Sequence, residues 1–515
     1  MSDIATLSAL LAASVARFGE REALISARRR VTYAELGTQA HAIAAGLGAL
    51  GVEKGTHVGL LAPNWPEWLA IAFGVWERGG VLVPISTLYR PRELRHALEL
   101  ADVELLVSAQ TFLRHDYTWT LSAAGTPLAL REVVWLDTPR GNAAIDLGPI
   151  TRPPPAGAES AAAPDDPATI LFTSGSTAEP KGAVHTQRAL ALAAQENVRV
   201  LGIEPDDRTW GYLPFFFAGG LVAVGLTTLA AGGAVVLQEV FDAGETLGLL
   251  QRERVSVFFA WPHQAEALIA HPRFGATTLH LRKGVGANTK WAAQIYPAEH
   301  HATSSFGMTE TPPLCSAWPW DAPQERRVSS HGPAVGSREL RIADPSSGAP
   351  LPAGAEGEIC VRGPTMMSGY HKHERSACFD ADGFFHTGDL GRIDERGALN
   401  FIGRLRDVIK SGGANVAAAE VEAVLMSHPA VAAAHAVGVP DAARGESVAA
   451  FVVLKAPATP DALVAHARER LASYKVPRVV WIRREDELPQ KGSGKVDKAL
   501  LREEAARLTA EAARS

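Results

Sequence analysis

Short apolar runs rich in β-branched residues alternate with longer alanine- and leucine-rich stretches through the first half of the chain. Nearly continuous apolar runs of this length are typical of strands buried on both faces, and their alternation with helices predicts βαβ units. The pattern therefore predicts an α/β fold in which helices sandwich parallel sheets. The predicted strands are His57–Leu61, Val81–Pro84, Glu104–Val107, Thr169–Phe172, Ala234–Leu237 and Val257–Phe259.

Two apolar segments have some features of export or membrane signals. The first, Ile4–Val15, follows Asp3 and lacks the basic start of a signal peptide, and its apolar residues are spaced as one face of a helix. The second, Gly219–Leu237, has nineteen residues without a charge, which is long enough to cross a bilayer. Gly232 and Gly233 divide it into a buried helix and a short strand, so we predict no transmembrane segment.

The pattern changes near Gly403, where the charged, glycine-containing sequence GRLRDVIKSGG begins. Helices are predicted at 417–427 and 461–471, and strands at 432–439, 448–454 and 479–482. These elements suffice for a small α+β domain. We predict a large N-terminal domain over residues 1–403, a hinge at 404–407 and a mobile C-terminal domain over 408–515.

Composition excludes several classes of protein. The chain has 515 residues, 47% of them hydrophobic and 21% charged, which is typical of a soluble globular protein. Its net charge of −6 and lack of a long basic run argue against a nucleic-acid partner. The three cysteines have no metal-ligand spacing, so a reducing, cytoplasmic location is expected.

The densest candidate for chemistry is TSGSTAEPKG, residues 173–182, directly after a predicted strand. Glycines allow close backbone approach to an anion, hydroxyl groups donate hydrogen bonds and Lys181 adds charge. The segment is not a Walker A loop, because no GK[ST] ending follows. It predicts a polyphosphate site, and the alternative is a polar surface turn.

Four further motifs follow along the chain: FGMTE at 306–310, HTGDLG at 386–391, GRLRDVIKSGG at 403–413 and PQKGSGK at 489–495. Each alone could be a turn or a solvated charged segment. Together and in this order they resemble the adenylate-forming superfamily, which includes acyl-CoA synthetases, adenylation domains of peptide synthetases and beetle luciferases. The resemblance covers essentially the whole chain.

The resemblance implies a site for ATP and Mg²⁺ in the large domain. Phe306 and the segment Gly286-Ala287-Asn288 would enclose adenine, Thr309 would contact the α-phosphate, and Glu310 would bind the metal. Asp389, assisted by Arg404, would hold the ribose hydroxyl groups. The β- and γ-phosphates would bind to Thr173, Ser174, Gly175, Ser176, Thr177 and Lys181.

The same resemblance implies a reaction in two steps. Lys495 would contact the carboxylate and the α-phosphate while an acyl-adenylate forms. The small domain would then rotate about Arg406, remove Lys495 and open a tunnel for coenzyme A beside Gly412 and Gly413. Thr309, Glu310 and Lys495 are the predicted catalytic residues, and Glu310 is the predicted metal ligand.

The acyl pocket is predicted around LPFFFAGG, residues 213–220. Candidate wall residues are Phe216, Phe217, Gly219, Gly307 and Met308, although the phenylalanines could equally be core residues. This segment contains no charged residue, whereas peptide-synthetase domains commonly place an aspartate there to bind an ammonium group. We therefore expect an acid that is uncharged apart from its carboxylate: aromatic, alicyclic or medium-chain aliphatic.

The chain departs from the family pattern at four positions. Ala178 replaces a glycine of the phosphate loop, Gln187 stands where many members have histidine, and Arg406 occupies a hinge position that is usually aspartate or lysine. Phe217 stands where many acyl-CoA ligases have a histidine beside the acyl pocket.

The function expected from these residues is that of a stand-alone carboxylic acid–CoA ligase that uses ATP, Mg²⁺ and coenzyme A. The alternative is an adenylating enzyme that loads an acyl carrier protein. The expected partners are small molecules, and the sequence is compatible with a homodimer.

Overall fold

A computed structural model describes residues 4–137, 145–155, 159–173, 181–411, 414–441, 445–471, 473–490 and 496–512. Within these ranges the side chains of residues 406, 410, 414, 415, 445 and 512 are not described. The contacts divide the chain into two compact units. The first comprises residues 1–340, 361–385 and 397–399, and the second comprises residues 341–360, 386–396 and 400–515.

This division differs from the boundary that the sequence predicts at residue 403, because residues 341–360, 386–396 and 400–403 group with the second unit. The predicted hinge at 404–407 describes a movement of the C-terminal domain, which a division by contacts does not test. It stays a prediction.

The first unit contains a seven-stranded sheet whose central strands are parallel, as predicted. At one edge two strands are added antiparallel, so the segment that precedes the candidate phosphate loop and the segment that follows it lie side by side. In spatial order the strands are Gly369–Tyr370, Gly182–Thr186, Pro167–Phe172, Val81–Pro84, His57–Leu61, Leu105–Ala109 and Glu132–Leu136.

A six-stranded sheet in the same unit is parallel except for its last pair. Its central strands are buried on both faces, since neighbouring residues such as Val235 and Val236, or Val257 and Phe258, belong to different hydrophobic cores. This burial explains why the runs read as continuously apolar. In spatial order the strands are Lys283–Gly284, Val257–Phe258, Arg208–Gly211, Ala234–Leu237, Glu22–Ile25 and Arg30–Thr32.

Helices of the first unit cover these sheets, and one continuous core contains residues from both sheets and from several helices. Two short hairpins pair Thr111–Phe112 with His115–Asp116 and Ser305–Phe306 with Ser316–Ala317. The α-helices are Leu7–Phe18, Tyr33–Ala49, Pro66–Glu77, Pro91–Leu100, Tyr117–Ala124, Gln187–Leu201, Thr227–Ala231, Ala243–Arg252, Pro262–Ala270, Ala292–Ile295 and Gln324–Ser329, and Gly148–Ile150, Phe274–Ala276 and Arg375–Ala377 are 3₁₀ turns.

Both segments with membrane-like features are part of the folded first unit. Thr6 caps the amphipathic helix Leu7–Phe18 through its side chain, and that helix buries Leu7, Leu10 and Leu11. The uncharged segment forms a π-helix at Gly219–Leu226, a short α-helix at Thr227–Ala231 and the predicted strand. Gly232 ends the helix in a left-handed conformation with φ of 85°. Within the described ranges, no helix combines the length and the apolar character needed to span a bilayer.

The second unit is α+β, as predicted. Most residues of a four-stranded sheet belong to this unit, and its strands are, in spatial order, Glu339–Ala343, Gly357–Arg362, Phe385–Ile393 and Leu399–Arg404. A five-stranded sheet has the order Ala414–Ala417, Val408–Ser411, Gly445–Leu454 and Val431–Asp441, and Val479–Arg483 pairs parallel with Gly445–Leu454. The helices of this unit are Ala418–Met426, Pro460–Arg468 and Lys498–Ala512, and Leu405–Asp407 and Glu485–Glu487 are 3₁₀ turns.

Each face of the five-stranded sheet has its own core. Val448, Ala450 and Val452 pack with the helices Ala418–Met426 and Pro460–Arg468. The alternate residues Ala449 and Phe451 pack with Leu501 and Ala505 of the last helix. The alternation along one strand follows from the two-residue period of side-chain direction.

A buried ion pair links the helix Gln187–Leu201 to the loop that follows residue 335. Arg338 donates to Glu196 over 2.7 Å, and their side chains are 0% and 5% exposed. Glu196 also accepts hydrogen bonds from the backbone and the hydroxyl of Ser337. Because these groups are withdrawn from water, loss of one partner leaves the other without compensation.

Glu196→Ala should therefore lower the free energy of unfolding by about 3–5 kcal/mol, measured by urea denaturation. Glu99→Ala is the matched control, because Glu99 pairs with Arg95 on an exposed helix face, and its loss should cost only about 0.3–0.5 kcal/mol. Similar losses for the two variants would contradict a special contribution of the buried pair.

His185 is fully buried in the strand Gly182–Thr186. Burial lowers the pKa of its imidazole to about 4, against 6.5 for an exposed histidine, and an interaction with the backbone of Thr309 opposes this shift. The unfolded chain thus binds a proton at a higher pH than the folded chain. The contribution of His185 to stability is therefore complete above pH 6.5 and is lost as the pH falls towards 4.

His185→Gln should therefore flatten the dependence of unfolding free energy on pH between 7.5 and 5. The loss of stability over this range should be smaller than in the wild type by about 2 kcal/mol, measured by urea unfolding at both pH values. His263→Gln, at an exposed position, controls for the substitution itself. An unchanged slope in the His185 variant would exclude His185 as the titrating group.

Candidate functional site

The two ends of the candidate phosphate loop meet at the antiparallel edge of the seven-stranded sheet. Phe172 pairs with Gly182, and the backbone N–H of Thr173 donates to the carbonyl of Lys181 over 2.9 Å. Thr173 and Lys181 therefore face each other across the base of the loop. Ser174, Gly175, Ser176, Thr177 and Ala178 lie outside the described residues.

Tyr370 connects Lys181 to Glu310. The Lys181 ammonium group lies 5.0 Å from the centre of the Tyr370 ring, and the Tyr370 hydroxyl donates to Oε1 of Glu310 over 2.6 Å. The Glu310 residue is only 8% exposed, so this charge-assisted hydrogen bond holds a carboxylate that has little contact with water. The predicted metal ligand and the predicted phosphate-binding lysine thus share one aromatic neighbour.

Sequence reasoning missed Tyr370. Its strand is added to the sheet edge by the pairing of Ala183 with Tyr370, two segments far apart in the chain. A tyrosine after a glycine carries no local signal for a contact that depends on such pairing.

Thr309 and Glu310 lie at the tip of a tight turn. Met308 donates its N–H to the Thr311 hydroxyl over 3.0 Å, and the Thr311 N–H donates to the Met308 carbonyl over 3.1 Å. Gly307 before the turn has no room for a side chain, because a Cβ there would lie 1.3 Å from the Pro313 carbonyl oxygen. The residues of FGMTE are therefore fixed by their own backbone rather than by a long loop.

His185 and Gln187 serve different parts of the structure. The imidazole of His185 lies against the backbone of Thr309, at the turn just described. Gln187 is buried elsewhere, where its side chain accepts from the N–H of Leu7 and donates to the carbonyl of Trp76. Gln187, which departs from the family pattern, therefore links the helices Leu7–Phe18 and Pro66–Glu77.

The predicted adenine wall follows the strand Lys283–Gly284. Gly286 adopts a φ of 87°, and a Cβ there would lie 2.6 Å from the Trp291 ring. The Ala287 N–H donates to the Thr303 carbonyl over 3.3 Å. This bond ties Gly286-Ala287-Asn288 to the segment that continues into the strand Ser305–Phe306, so the structure brings both predicted adenine contacts onto neighbouring segments.

The predicted acyl-pocket residues follow the carboxyl ends of adjacent parallel strands, where ligands commonly bind in α/β proteins. Phe216 and Phe217 come after Arg208–Gly211, and Trp261 comes after Val257–Phe258. Phe217 lies between the other two rings, 4.7 Å from Phe216 and 6.0 Å from Trp261 between ring centroids. Trp261 is 38% exposed.

Phe215 is a core residue rather than a pocket wall. It is completely buried, and its ring lies 5.2 Å from that of Trp68. Asn64 fixes the segment by accepting from the Phe215 N–H and donating to the carbonyls of Gly211 and Leu213. Phe215 is therefore a core residue, and the pocket role of Phe216 and Phe217 stays a prediction.

Two glycines begin the π-helix differently. A Cβ at Gly220 would lie 2.2 Å from the Pro214 carbonyl oxygen, so this position requires glycine. A Cβ at Gly219 would contact only Leu213, at 3.8 Å, so there is space beside this residue. π-helical segments are frequent at functional sites.

In the second unit, Arg404 Nε lies 2.9 Å from Oδ1 of Asp389, whose side chain is almost fully buried. These two predicted ribose contacts are therefore brought together. Arg406 lies in the 3₁₀ turn Leu405–Asp407, but its side chain is not described. Lys495, Gly412 and Gly413 lie outside the described residues.

One group of potential metal ligands lies in the described part of the second unit. The ligand atoms of Glu358, Cys360 and His386 are all within 4.8 Å of one another. His386 Nδ1 is 2.7 Å from Glu358 Oε2, a hydrogen-bond distance. Two ligands of a tetrahedral zinc ion with bonds of about 2.0–2.1 Å would be roughly 3.3 Å apart, so the present spacing favours a hydrogen-bonded cluster.

Comparison with known proteins agrees with this geometry. Residues 11–371 match the family model of the AMP-binding enzymes, and residues 420–495 match the AMP-binding enzyme C-terminal domain. The chain is 35% identical over 483 residues to a feruloyl-CoA synthase from Amycolatopsis sp., covering 92% of this chain and 93% of the relative.

Two solved structures are similar over nearly the whole chain. The anthranilate CoA ligase AuaEII in complex with anthranoyl-AMP has a TM-score of 0.85 and 27% identity, covering 99% of both chains. O-succinylbenzoate coenzyme A synthetase from Bacillus subtilis, in complex with ATP and magnesium ion, has a TM-score of 0.79 and 28% identity, covering 95% of this chain and 98% of the other. The predicted enzyme class, an AMP-forming acyl-CoA ligase, is confirmed, and the chain belongs to the AMP-binding enzyme family.

Proposed function

We propose that this protein is a stand-alone ligase that joins an uncharged, preferably aromatic, carboxylic acid to coenzyme A. The observation that carries the nucleotide part is the arrangement of Lys181, Tyr370 and Glu310 at the base of the phosphate loop. A cation and a buried carboxylate held by one tyrosine suit the binding of a metal–polyphosphate complex.

In this proposal Glu310 supplies a carboxylate oxygen to Mg²⁺, and the donor chemistry fits. Mg²⁺ is usually held by one or two carboxylates together with substrate phosphates, and Glu310 is a buried carboxylate beside Thr309 and opposite Lys181. When bound, the metal neutralises charge on the phosphate oxygens. Lys181 and the loop that begins at Thr173 bind the β- and γ-phosphates, and Thr309 binds the α-phosphate.

The remaining nucleotide contacts are proposed from the same family pattern. Phe306 and Gly286-Ala287-Asn288 enclose adenine, which agrees with the tie between Ala287 and Thr303 three residues before Phe306. Asp389 and Arg404 hold the ribose hydroxyl groups. An ionised carboxylate can accept both hydrogen bonds of a vicinal diol while Arg404 keeps it oriented.

The first step requires two anions, the substrate carboxylate and the α-phosphate of ATP, to come together. The substrate carboxylate attacks the α-phosphorus, the bond to the bridging oxygen breaks, and pyrophosphate leaves. Lys495 is proposed to stabilise the charge that develops in this step. The thiol of coenzyme A then attacks the acyl carbon and AMP leaves, after the C-terminal domain has turned about Arg406 and placed Gly412 and Gly413 beside the CoA path.

The preference for an uncharged acid rests on the pocket candidates. Phe216, Phe217 and Trp261 form an aromatic group, and Gly219 leaves space beside it. No charged residue occurs within residues 213–220. Gly307 and Met308 are proposed as further wall residues. The relatives named for ferulate and anthranilate act on aromatic acids, which supports the same class here.

A cytoplasmic location is proposed as well, because Cys315, Cys360 and Cys378 are all free thiols. The second candidate function, loading an acyl carrier protein, differs only in the thiol that accepts the acyl group. It is separated from the first by the use of free coenzyme A.

The proposal is tested by acid-dependent ATP–pyrophosphate exchange over a panel of aromatic, aliphatic, sulfonated and dicarboxylic acids, repeated with coenzyme A. Aromatic acids should give the fastest exchange and should form thioesters. Phe217→Ala should reorder the acids by size by about 10- to 100-fold, because it removes one wall of the aromatic group.

Phe215→Ala is the matched control, since Phe215 is a core residue that should affect thermal stability without reordering the acids. Acyl-adenylate that accumulates despite coenzyme A would favour the carrier-protein function. A preference for sulfonated or dicarboxylic acids would overturn the proposed substrate class.

Two variants should fail in opposite half-reactions. Lys495→Ala should slow acyl-adenylate formation by roughly 10²–10³-fold and spare thioester formation from supplied acyl-adenylate. Arg406→Pro restricts φ near −65°, so it should spare adenylation and impair thioester formation if the backbone turns at this residue. Single-turnover assays of the two steps measure both effects.

Arg406→Ala controls for loss of the side chain, and it should retain both half-reactions. Normal thioester formation by Arg406→Pro, or loss of the same step in both variants, would contradict rotation about this residue.

A further inference from the structure

The carboxylate of Glu358 binds two residues of the HTGDLG motif at once. Glu358 lies in the strand Gly357–Arg362, beside the strand Phe385–Ile393 that carries the motif. Its Oε1 accepts from the Gly388 N–H over 2.9 Å, and its Oε2 lies 2.7 Å from Nδ1 of His386. The residue is buried, so both contacts lie in an environment that excludes most water.

These contacts lie at His386 and Gly388, directly before Asp389 in the chain. Gly388 adopts a φ of 69°, a left-handed conformation that glycine can enter and leave more freely than other residues. The Thr387 hydroxyl donates to the Ile359 carbonyl over 2.7 Å and accepts from the Asp389 N–H over 3.0 Å. Glu358 and Ile359 thus tie down both sides of the turn from the neighbouring strand.

A carboxylate that must meet two hydroxyl groups needs a fixed orientation. Oδ1 of Asp389 lies 2.9 Å from Arg404 Nε, and this contact restricts the orientation of the carboxylate. The position of the Asp389 backbone determines where that carboxylate lies. A shift of that backbone by about 1 Å would lengthen a hydrogen bond beyond its useful range.

We propose that Glu358 is a positioning residue that sets the selectivity for a nucleotide with both ribose hydroxyl groups. It acts through the Gly388 N–H on the direction of Asp389, and it does not touch the nucleotide itself. The inference rests on the proposed function, because it assumes that Asp389 binds the ribose.

The experiment compares ATP with 2′-deoxy-ATP and 3′-deoxy-ATP in acid-dependent exchange, as ratios of kcat/KM. In the wild type each missing hydroxyl should reduce kcat/KM by about 10- to 100-fold, the value of a hydrogen bond to a charged group. Asp389→Ala should bring both ratios close to one. This variant tests the ribose assignment independently of Glu358.

Glu358→Leu keeps the approximate size of the side chain but offers no acceptor to Gly388. Its ATP to deoxy-ATP ratios should fall at least several-fold towards those of Asp389→Ala. Glu358→Gln retains an amide oxygen for the Gly388 N–H, and it should keep most of the wild-type ratio. A residue needed only for folding would reduce the rates with all three nucleotides alike and leave the ratios unchanged.

If Glu358→Leu is insoluble, Glu358→Asp, whose carboxylate is one methylene short, should show the same fall in the ratios. Glu339→Gln, a carboxylate exposed at the surface and paired with Arg362, is the matched control and should behave as the wild type. Wild-type ratios in soluble Glu358→Leu or Glu358→Asp, together with collapsed ratios in Asp389→Ala, would overturn this inference alone. Unchanged ratios in Asp389→Ala would overturn the ribose assignment and, with it, the role of Glu358.

Discussion

The antiparallel pairing of Pro167–Phe172 with Gly182–Thr186 is the constraint on which the candidate nucleotide site depends. This pairing closes the base of the phosphate loop through the hydrogen bond from Thr173 to Lys181. It also creates a sheet edge to which Gly369–Tyr370 can add, and Tyr370 then reaches both Lys181 and Glu310. One ladder of backbone hydrogen bonds therefore fixes a cation, an aromatic ring and a carboxylate from three distant parts of the chain.

The acyl pocket candidates depend on a different sheet and on a different rule. Side chains that follow adjacent parallel strands meet at one edge, and this brings Phe217 next to Trp261 although 43 residues separate them. Asn64 holds the backbone before Phe217 through hydrogen bonds, and Gly220 lets the backbone after it approach Pro214 because it has no side chain. The segment that carries Phe216 and Phe217 is therefore held by contacts on both sides.

Buried carboxylates recur as supports for these segments. Glu196 holds Ser337 and Arg338, Glu310 accepts from Tyr370, and Glu358 holds His386 and Gly388. A buried carboxylate is stable only when several donors satisfy it, so each fixes the backbone or side chains around it. Glu196 and Glu358 have no recognisable motif in the sequence, because their donors come from segments that become neighbours only in the fold.

The sequence by itself determined the α/β class, the family and the reaction class, because strand burial and ligand chemistry leave local patterns. His57–Leu61, Val81–Pro84 and Ala234–Leu237 begin and end as predicted, and the segment Gly219–Leu237 divides at Gly232 as predicted. Tertiary structure alone decided the antiparallel edge, the separation of Phe215 from Phe217, and the roles of Tyr370 and Glu358. Those features depend on which distant strands become neighbours, and hydrophobic periodicity is the same for either choice of partner.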